Sequence, residues 1–212
     1  MKKIFSLTLA LLMAALTLTA CGGNGAGSSA GPDADAASRT FQTLGEVLDL
    51  EIESQASSYN DGKYILAFET GGAYYRVIAD MSEELSDELW ALDYNDPDYE
   101  QKQYDMLAPL TVTRTDYLND QMLTDDQIKA LVGKTGADLL NDGWTCWSGY
   151  DLSEMKVWMD YGPFSYSVYF DADGSAYNTD TFDVEEDIKE LTVKNIELSM
   201  LGDKATELEP AE

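Results

Sequence analysis

The chain has 212 residues, room for one ordinary domain or two small halves, and its 44% apolar and 11% aromatic content suffices for a packed core. Lys and Arg total 13 against 40 Asp and Glu, a formal charge of −27, which repels nucleic acid and anionic lipid surfaces, favours cationic or divalent partners and keeps an exported protein soluble. Histidine is absent from the sequence, which removes Ser-His and Cys-His nucleophilic catalysis and zinc or copper sites of the usual kind.

Residues 1–20 read as a signal peptide. Lys2 and Lys3 form a basic start, and Ile4 to Leu18 is an apolar run too short for a comfortable membrane span. The segment closes on Leu18-Thr19-Ala20-Cys21, which resembles the lipobox of bacterial lipoproteins. That resemblance implies export, acylation of the Cys21 sulfur and cleavage before it, which places the protein on the extracytoplasmic face of the membrane with the lipid as its hold. The mature chain would lose Lys2 and Lys3 and go to 11 bases against 40 acids, a net −29. Residues 21–40 then comprise the lipidated cysteine and a tether, since Gly22 to Ser38 is Gly, Ser, Ala and Asp without apolar periodicity. Such a coil spans roughly 20 to 25 Å, and folded structure is expected from near Phe41.

Residues 41–120 form a first α+β half. Val47 to Ile52 is a β-compatible run, and Lys63–Thr70 and Ala73–Asp80 are strands joined by Gly71-Gly72, which suits a primed turn. Ser82 starts a helix with Leu85, Leu89 and Leu92 on one face. Asp96-Pro97 starts another, with Asp96 as N-cap and Pro97 at the first helical position. Leu110 to Leu118 returns as a strand.

The second half, 121–209, opens on the best-specified stretch, LTDDQIKALVGKTGADLLNDGW, residues 123–144. Thr124 and Gln127 make a capping box, Leu123 and Ile128 a hydrophobic staple, and Ile128, Leu131 and Val132 an apolar face ended by Gly133. Thr135 caps a second helix with Asp138 at its third position and Leu139 and Leu140 as its contacts; Gly143 ends it. Strands follow over 144–150, 156–161 and 164–170, with a turn at Gly162-Pro163. In the third, Phe164, Tyr166, Val168 and Phe170 alternate with Ser165, Ser167 and Tyr169, so one face is expected in the core and the other in water. Asp173-Gly174 reads as a hairpin turn into Ser175–Tyr177, then comes an acidic loop. Leu191 to Leu201 is a last strand whose apolar phase switches, as a bulge near Asn195 would cause. The fold class is thus α+β, short helix pairs on antiparallel sheet in two possibly similar halves, with the elements in a different order in each and no sequence repeat.

The helix pair leading through Gly143-Trp144 into strands, behind a lipobox, resembles the secreted beta-lactamase inhibitor protein and the small outer-membrane assembly lipoproteins. The chain as a whole is similar to surface lipoproteins of Gram-positive anaerobes. The resemblance covers the second half and implies an architecture and a binding role.

Chemistry-bearing patterns are sparse. Gly133-Lys134-Thr135 fails as a phosphate loop because Ile128 stands where a glycine is required. Asp171 to Ser175 has alternating oxygens but lacks a complete calcium ligand set, and reads as a turn. Asp180, Asp183, Glu185, Glu186 and Asp187 fit a solvated acidic loop better than a calcium site. Cys146, alone once Cys21 is acylated, reads as a buried, inert thiol. Strands with aromatics on both faces cannot bury all of them, which makes Trp147, Tyr150 and Tyr169 the candidate binding surface. The reading is a lipid-anchored binding module with a protein partner in the envelope, no cofactor, no metal and no catalytic site. The alternatives are a carboxylate-based polysaccharide hydrolase and a weakly calcium-dependent structural module.

Overall fold

The computed structural model describes residues 36–151, 155–172 and 183–207, with backbone alone for 147–151. The signal segment, Cys21, most of the tether, the Asp173-Gly174 turn, Ser175–Tyr177 and Asp180 lie outside the described residues. The fold is α+β: the described residues form two four-stranded antiparallel sheets, each a simple meander, and six short helices. Ordered contacts reach further toward the N-terminus than Phe41: Ala36–Ser38 is a 3-10 turn, and the Tyr75 hydroxyl donates to the Ala36 carbonyl at 3.0 Å.

In the first half, α1 (Leu44–Leu48) stands where a strand was expected over 47–52. Its start is locally encoded: the Thr43 hydroxyl accepts from the Glu46 N–H, the Glu46 carboxylate accepts from the Gln42 N–H at 2.7 Å, and Leu44 and Val47 share a buried face. The first strand is instead β1 (Ser54–Asn60), a polar run without a strand signature that exists because it pairs residue for residue with β2 (Lys63–Thr70). Asp61-Gly62 turns this pair and Gly71-Gly72 the next, from β2 into β3 (Ala73–Asp80); all four residues have positive φ, as type I′ turns require. The chain continues through α2 (Glu83–Trp90), capped by Ser82, and α3 (Tyr99–Leu107) to β4 (Val112–Tyr117). The second of these helices begins at Tyr99, later than the Asp96-Pro97 signal, because the Asp96 carboxylate accepts from the Asp98 N–H in a turn and from Lys102 instead of capping a helix.

The second half keeps the expected α4 (Asp125–Leu131) and α5 (Gly136–Asn141), each with a complete capping box. Val132, expected on the buried face, is extended and 45% exposed: the Gly133 N–H donates to the Val193 carbonyl at 2.9 Å, which draws the chain out of the helix. Then come β5 (Thr145–Asp151), β6 (Lys156–Tyr161), β7 (Phe164–Phe170), α6 (Val184–Ile188) and β8 (Val193–Leu201). The end of the expected acidic loop is thus a helix, capped by Asp183. β8 has two extra residues, Lys194 and Ser199, and the two phase changes put Val193, Ile196 and Leu201 all in the core.

Contrary to the expected difference in order, both halves run helix, three-strand meander, helix, fourth strand, with one helix before the meander and two after it in the first half (α1; α2 and α3) and two before and one after in the second (α4 and α5; α6). They also share a clasp. Thr43, the cap of α1, bridges to Thr111, and Thr135, the cap of α5, bridges to Thr192. Leu44 N–H donates to the Leu110 carbonyl at 2.9 Å, and Gly136 N–H to that of Leu191 at 3.0 Å. Leu110-Thr111-Val112 and Leu191-Thr192-Val193 are the same tripeptide in the same place.

One face of the first sheet buries Tyr64, Leu66, Phe68, Tyr75 and Val77 against the helices, with the Phe41, Phe68 and Tyr75 rings 5.5 to 5.7 Å apart. Its other face meets the second half. Ala67 and Tyr74 join the core of the second sheet, where the Tyr74 and Phe164 rings are edge to face at 5.1 Å. The C-terminal 3-10 turn, Asp203–Thr206, closes the seam: Ser58 donates to the Thr206 carbonyl at 3.0 Å, and buried Arg76, paired with Asp116 at 2.8 Å, donates to the Glu207 carbonyl at 2.9 Å. The same turn lies at the Asp160–Ser165 end of the outer face, where the Asp203 N–H bonds the buried Asp160 carboxylate at 3.2 Å; Ser165 there, and Ser167 further along between Trp158 and Glu197, are buried where water was expected.

Candidate interaction surface

Beyond that turn, the outer face of the second sheet opens into a strip of paired polar and aromatic side chains. The two-residue turn at Gly162-Pro163 sets Tyr161 against Phe164, and from there the ladder places Trp158 against Ser167 and Lys156 against Tyr169. The bulge at Lys194 places Asn195 against Tyr169 and Glu197 against Ser167. The Lys156 ammonium lies 4.9 Å from the Trp158 ring centre and 6.0 Å from that of Tyr169. The Tyr169 hydroxyl donates to one Glu197 oxygen at 3.2 Å and the Asn195 amide to the other at 2.8 Å. Lys156, Trp158 and Tyr169 are half-buried, so their rings and charges are fixed by one another and still meet solvent. A cation over a ring at such a site contributes about 0.5–1 kcal/mol, enough to order the side chains without locking them.

Of the residues expected to form the binding surface, Tyr169 is therefore part of a defined cluster. Trp147 and Tyr150 lie on β5, where Tyr150 pairs with Val157, the row beside that of Lys156 and Tyr169, and their side chains lie outside the described residues. Lys156, Trp158, Asn195 and Glu197 were not among the expected site residues. The hairpin register needed to find the first two was available from the Gly162-Pro163 turn, whereas Asn195 and Glu197 depend on a bulge whose position the sequence places only approximately.

The position of the strip within the repeated architecture is informative. Counted from the two-residue turns, Lys156, Trp158 and Tyr169 on β6 and β7 correspond to Ile65, Ala67 and Ile78 on β2 and β3. Those three are buried, on the face by which the first sheet meets the second half. The corresponding face of the second sheet carries aromatic and charged groups instead, and these remain half open.

Elsewhere the chemistry is quiet. Burial, with Glu185 and Asp183 nearby, pushes the Cys146 thiol up to about 12, so it carries essentially no thiolate at neutral pH. Tyr74 is raised well above its ordinary range by burial, its hydrogen bond to Glu69 and the nearby Glu53 charge, so it stays a neutral hydroxyl. Among the described residues no group of three or more acids or cysteines gathers as a metal site, and no helix is long and apolar enough to cross a membrane. Neither protein-family models, nor curated proteins, nor solved structures yield a match to this chain.

Proposed function

We propose that this protein is a lipid-anchored, extracytoplasmic binding module that holds another envelope or secreted protein against the outer face of its second sheet. The observation that carries the reading is the correspondence just described. The first sheet uses this face to hold a folded partner, the second half, and the second sheet presents the same positions partly open and lined with Trp158, Lys156 and Tyr169. Aromatic residues with a flanking charge are the side chains that anchor protein interfaces. The lipobox ending at Cys21 supports the address, and the net charge sets the body of the protein against the anionic membrane surface, leaving the acyl chains as the hold.

The test has two arms. A photo-cross-linking residue at Tyr169 in the living cell should give one discrete protein adduct, lost on Trp158→Ala, while the same residue at exposed Lys129 should give none. Equal adducts from both positions would remove the claim for this face. Independently, Cys21→Ser should release the protein from the membrane fraction, and continued acylation of that variant would refute the anchor.

A further inference from the structure

The connection from β3 to β4 carries the two most exposed large apolar side chains among the described residues, Trp90 at 51% and Tyr94 at 78%. Leu85 and Leu89 turn one side of α2 to the core, so Trp90, the next residue, is turned outward. Tyr94 follows in a loop whose backbone is held by side chains: the Asp93 carboxylate accepts from the Asn95 N–H at 3.0 Å, and that of Asp96 from the Asp98 N–H at 2.9 Å. Residues 82–101 hold eight Asp and Glu and no Lys or Arg, and among the described residues the ion pair of these acids is that of Asp96 with Lys102. Two exposed rings on an ordered backbone, in a stretch whose carboxylates outnumber its paired bases, match one kind of group. A guanidinium stacks on the ring face while its N–H groups bond the carboxylates beside it. The same field repels a second copy of this chain, nucleic acid and anionic lipid.

We propose that Trp90 and Tyr94 form a second docking surface, separate from the second sheet, for an arginine- and lysine-rich segment of a partner protein. The backbone that presents the rings is already ordered, so binding does not have to order it.

The full-length chain in detergent micelles is titrated with a fluorescent peptide of alternating Arg and Gly, read by anisotropy. Trp90→Ala with Tyr94→Ala should weaken binding roughly tenfold, and Trp90→Phe with Tyr94 intact should retain most of the affinity. Asp87→Asn with Asp93→Asn should weaken binding and flatten its salt dependence. Trp158→Ala should change nothing, which separates this surface from the one on the second sheet. Undiminished binding in the aromatic double variant, with loss confined to the charge variant, would overturn the proposal, because the attraction would then be the diffuse field of the acidic body. Capture of phosphatidylcholine vesicles through Trp90 in preference to the peptide would overturn it as well. Melting temperatures of all variants check that each is folded, as expected for side chains this exposed.

Discussion

Gly136→Ala tests the clasp that both halves share. Gly136 is the first residue of α5, and a Cβ built there would press on the Ile188 carbonyl, 2.8 Å from its carbon and 2.9 Å from the Ile188 Cγ1. The obstacle is backbone, so the relief must come from moving the start of α5 away from the approach to β8. That seam is held by Gly136 N–H to Leu191 at 3.0 Å, Ala137 N–H to Lys189 at 3.1 Å, Gly133 N–H to Val193 at 2.9 Å and Val193 N–H to Lys134 at 2.8 Å. Overpacking costs about 1–3 kcal/mol and each weakened hydrogen bond about 1 kcal/mol. The expected loss is therefore about 2–4 kcal/mol, a fall in Tm of roughly 5–15 °C for a protein of this size. At Gly45, one residue further into the matching helix of the first half, the added Cβ would lie 3.2 Å from the Ala108 carbonyl oxygen, a milder crowding. Thermal melts of the two alanine variants should rank Gly136 well below Gly45. Equal melting temperatures, or a Gly136 variant indistinguishable from wild type, would refute the close approach of α5 to Ile188.

Three further outcomes follow from the same contacts. Arg76→Ala removes a buried partner of Asp116 and the donor to the Glu207 carbonyl, and should cost roughly 2–4 kcal/mol, with Arg114 left to compensate Asp116; loss of the exposed Lys63–Asp80 pair should cost under about 1 kcal/mol. The Thr135 N–H and hydroxyl hold the Asp138 carboxyl below its ordinary value of 3.8, so its contribution is present above that value and is lost as the pH falls through the depressed one. Urea midpoints should accordingly decline more gently with acid in Asp138→Asn than in wild type, and parallel declines would count against the cap. Cys146 is partly buried where full burial was expected, and in Cys21→Ser protein its raised pKa should make it resist iodoacetamide at neutral pH until denaturation; labelling at the rate of a free thiol would contradict that shift.

The parts of the fold legible in the sequence are those whose cause is local. Thr124 with Gln127, Thr135 with Asp138, Ser82, and the Gly71-Gly72 and Gly162-Pro163 turns each hold cause and effect within four residues. α1 had such a signal in Thr43 and Glu46, but at five residues it was outweighed by the β-branched look of Val47 to Ile52. Other elements had no local cause to read. β1 is Ser-Gln-Ala-Ser-Ser-Tyr-Asn and owes its conformation to β2, and the end of the outer face at Ser165 and Asp160 meets a turn some forty residues later in the chain. For the candidate site the aromatic composition pointed to the second sheet. The pairing of Lys156 with Tyr169, and of Glu197 with both Tyr169 and Asn195, emerges only with the registers in place.

The clasp also explains why a repeated architecture left so little repeated sequence. Leu110 and Leu191 each use their carbonyl to accept the first helical N–H while their side chains are partly buried, Thr111 and Thr192 each bridge to a capping threonine, and Val112 and Val193 each begin a strand. The leucine and valine side chains pack into the two cores and the tripeptide is identical, although the exposed Thr111 and Thr192 pair with the capping threonines through the backbone, and nothing in the structure explains their identity. Two residues before each of those leucines, Ala108 and Lys189 also accept a helix N–H, from Gly45 and Ala137, but the bond uses only the backbone, and the side chains differ completely. The sheets show a similar contrast. Ile65, Ala67 and Ile78 are all buried, on the face whose Ala67 and Tyr74 join the core of the second half, whereas Lys156, Trp158 and Tyr169 at the corresponding positions are half-buried and contact one another. The leucines and valines are alike where both halves bury them, and the halves differ at Trp158 with Tyr169 and at Trp90 with Tyr94, the residues of the two proposed surfaces.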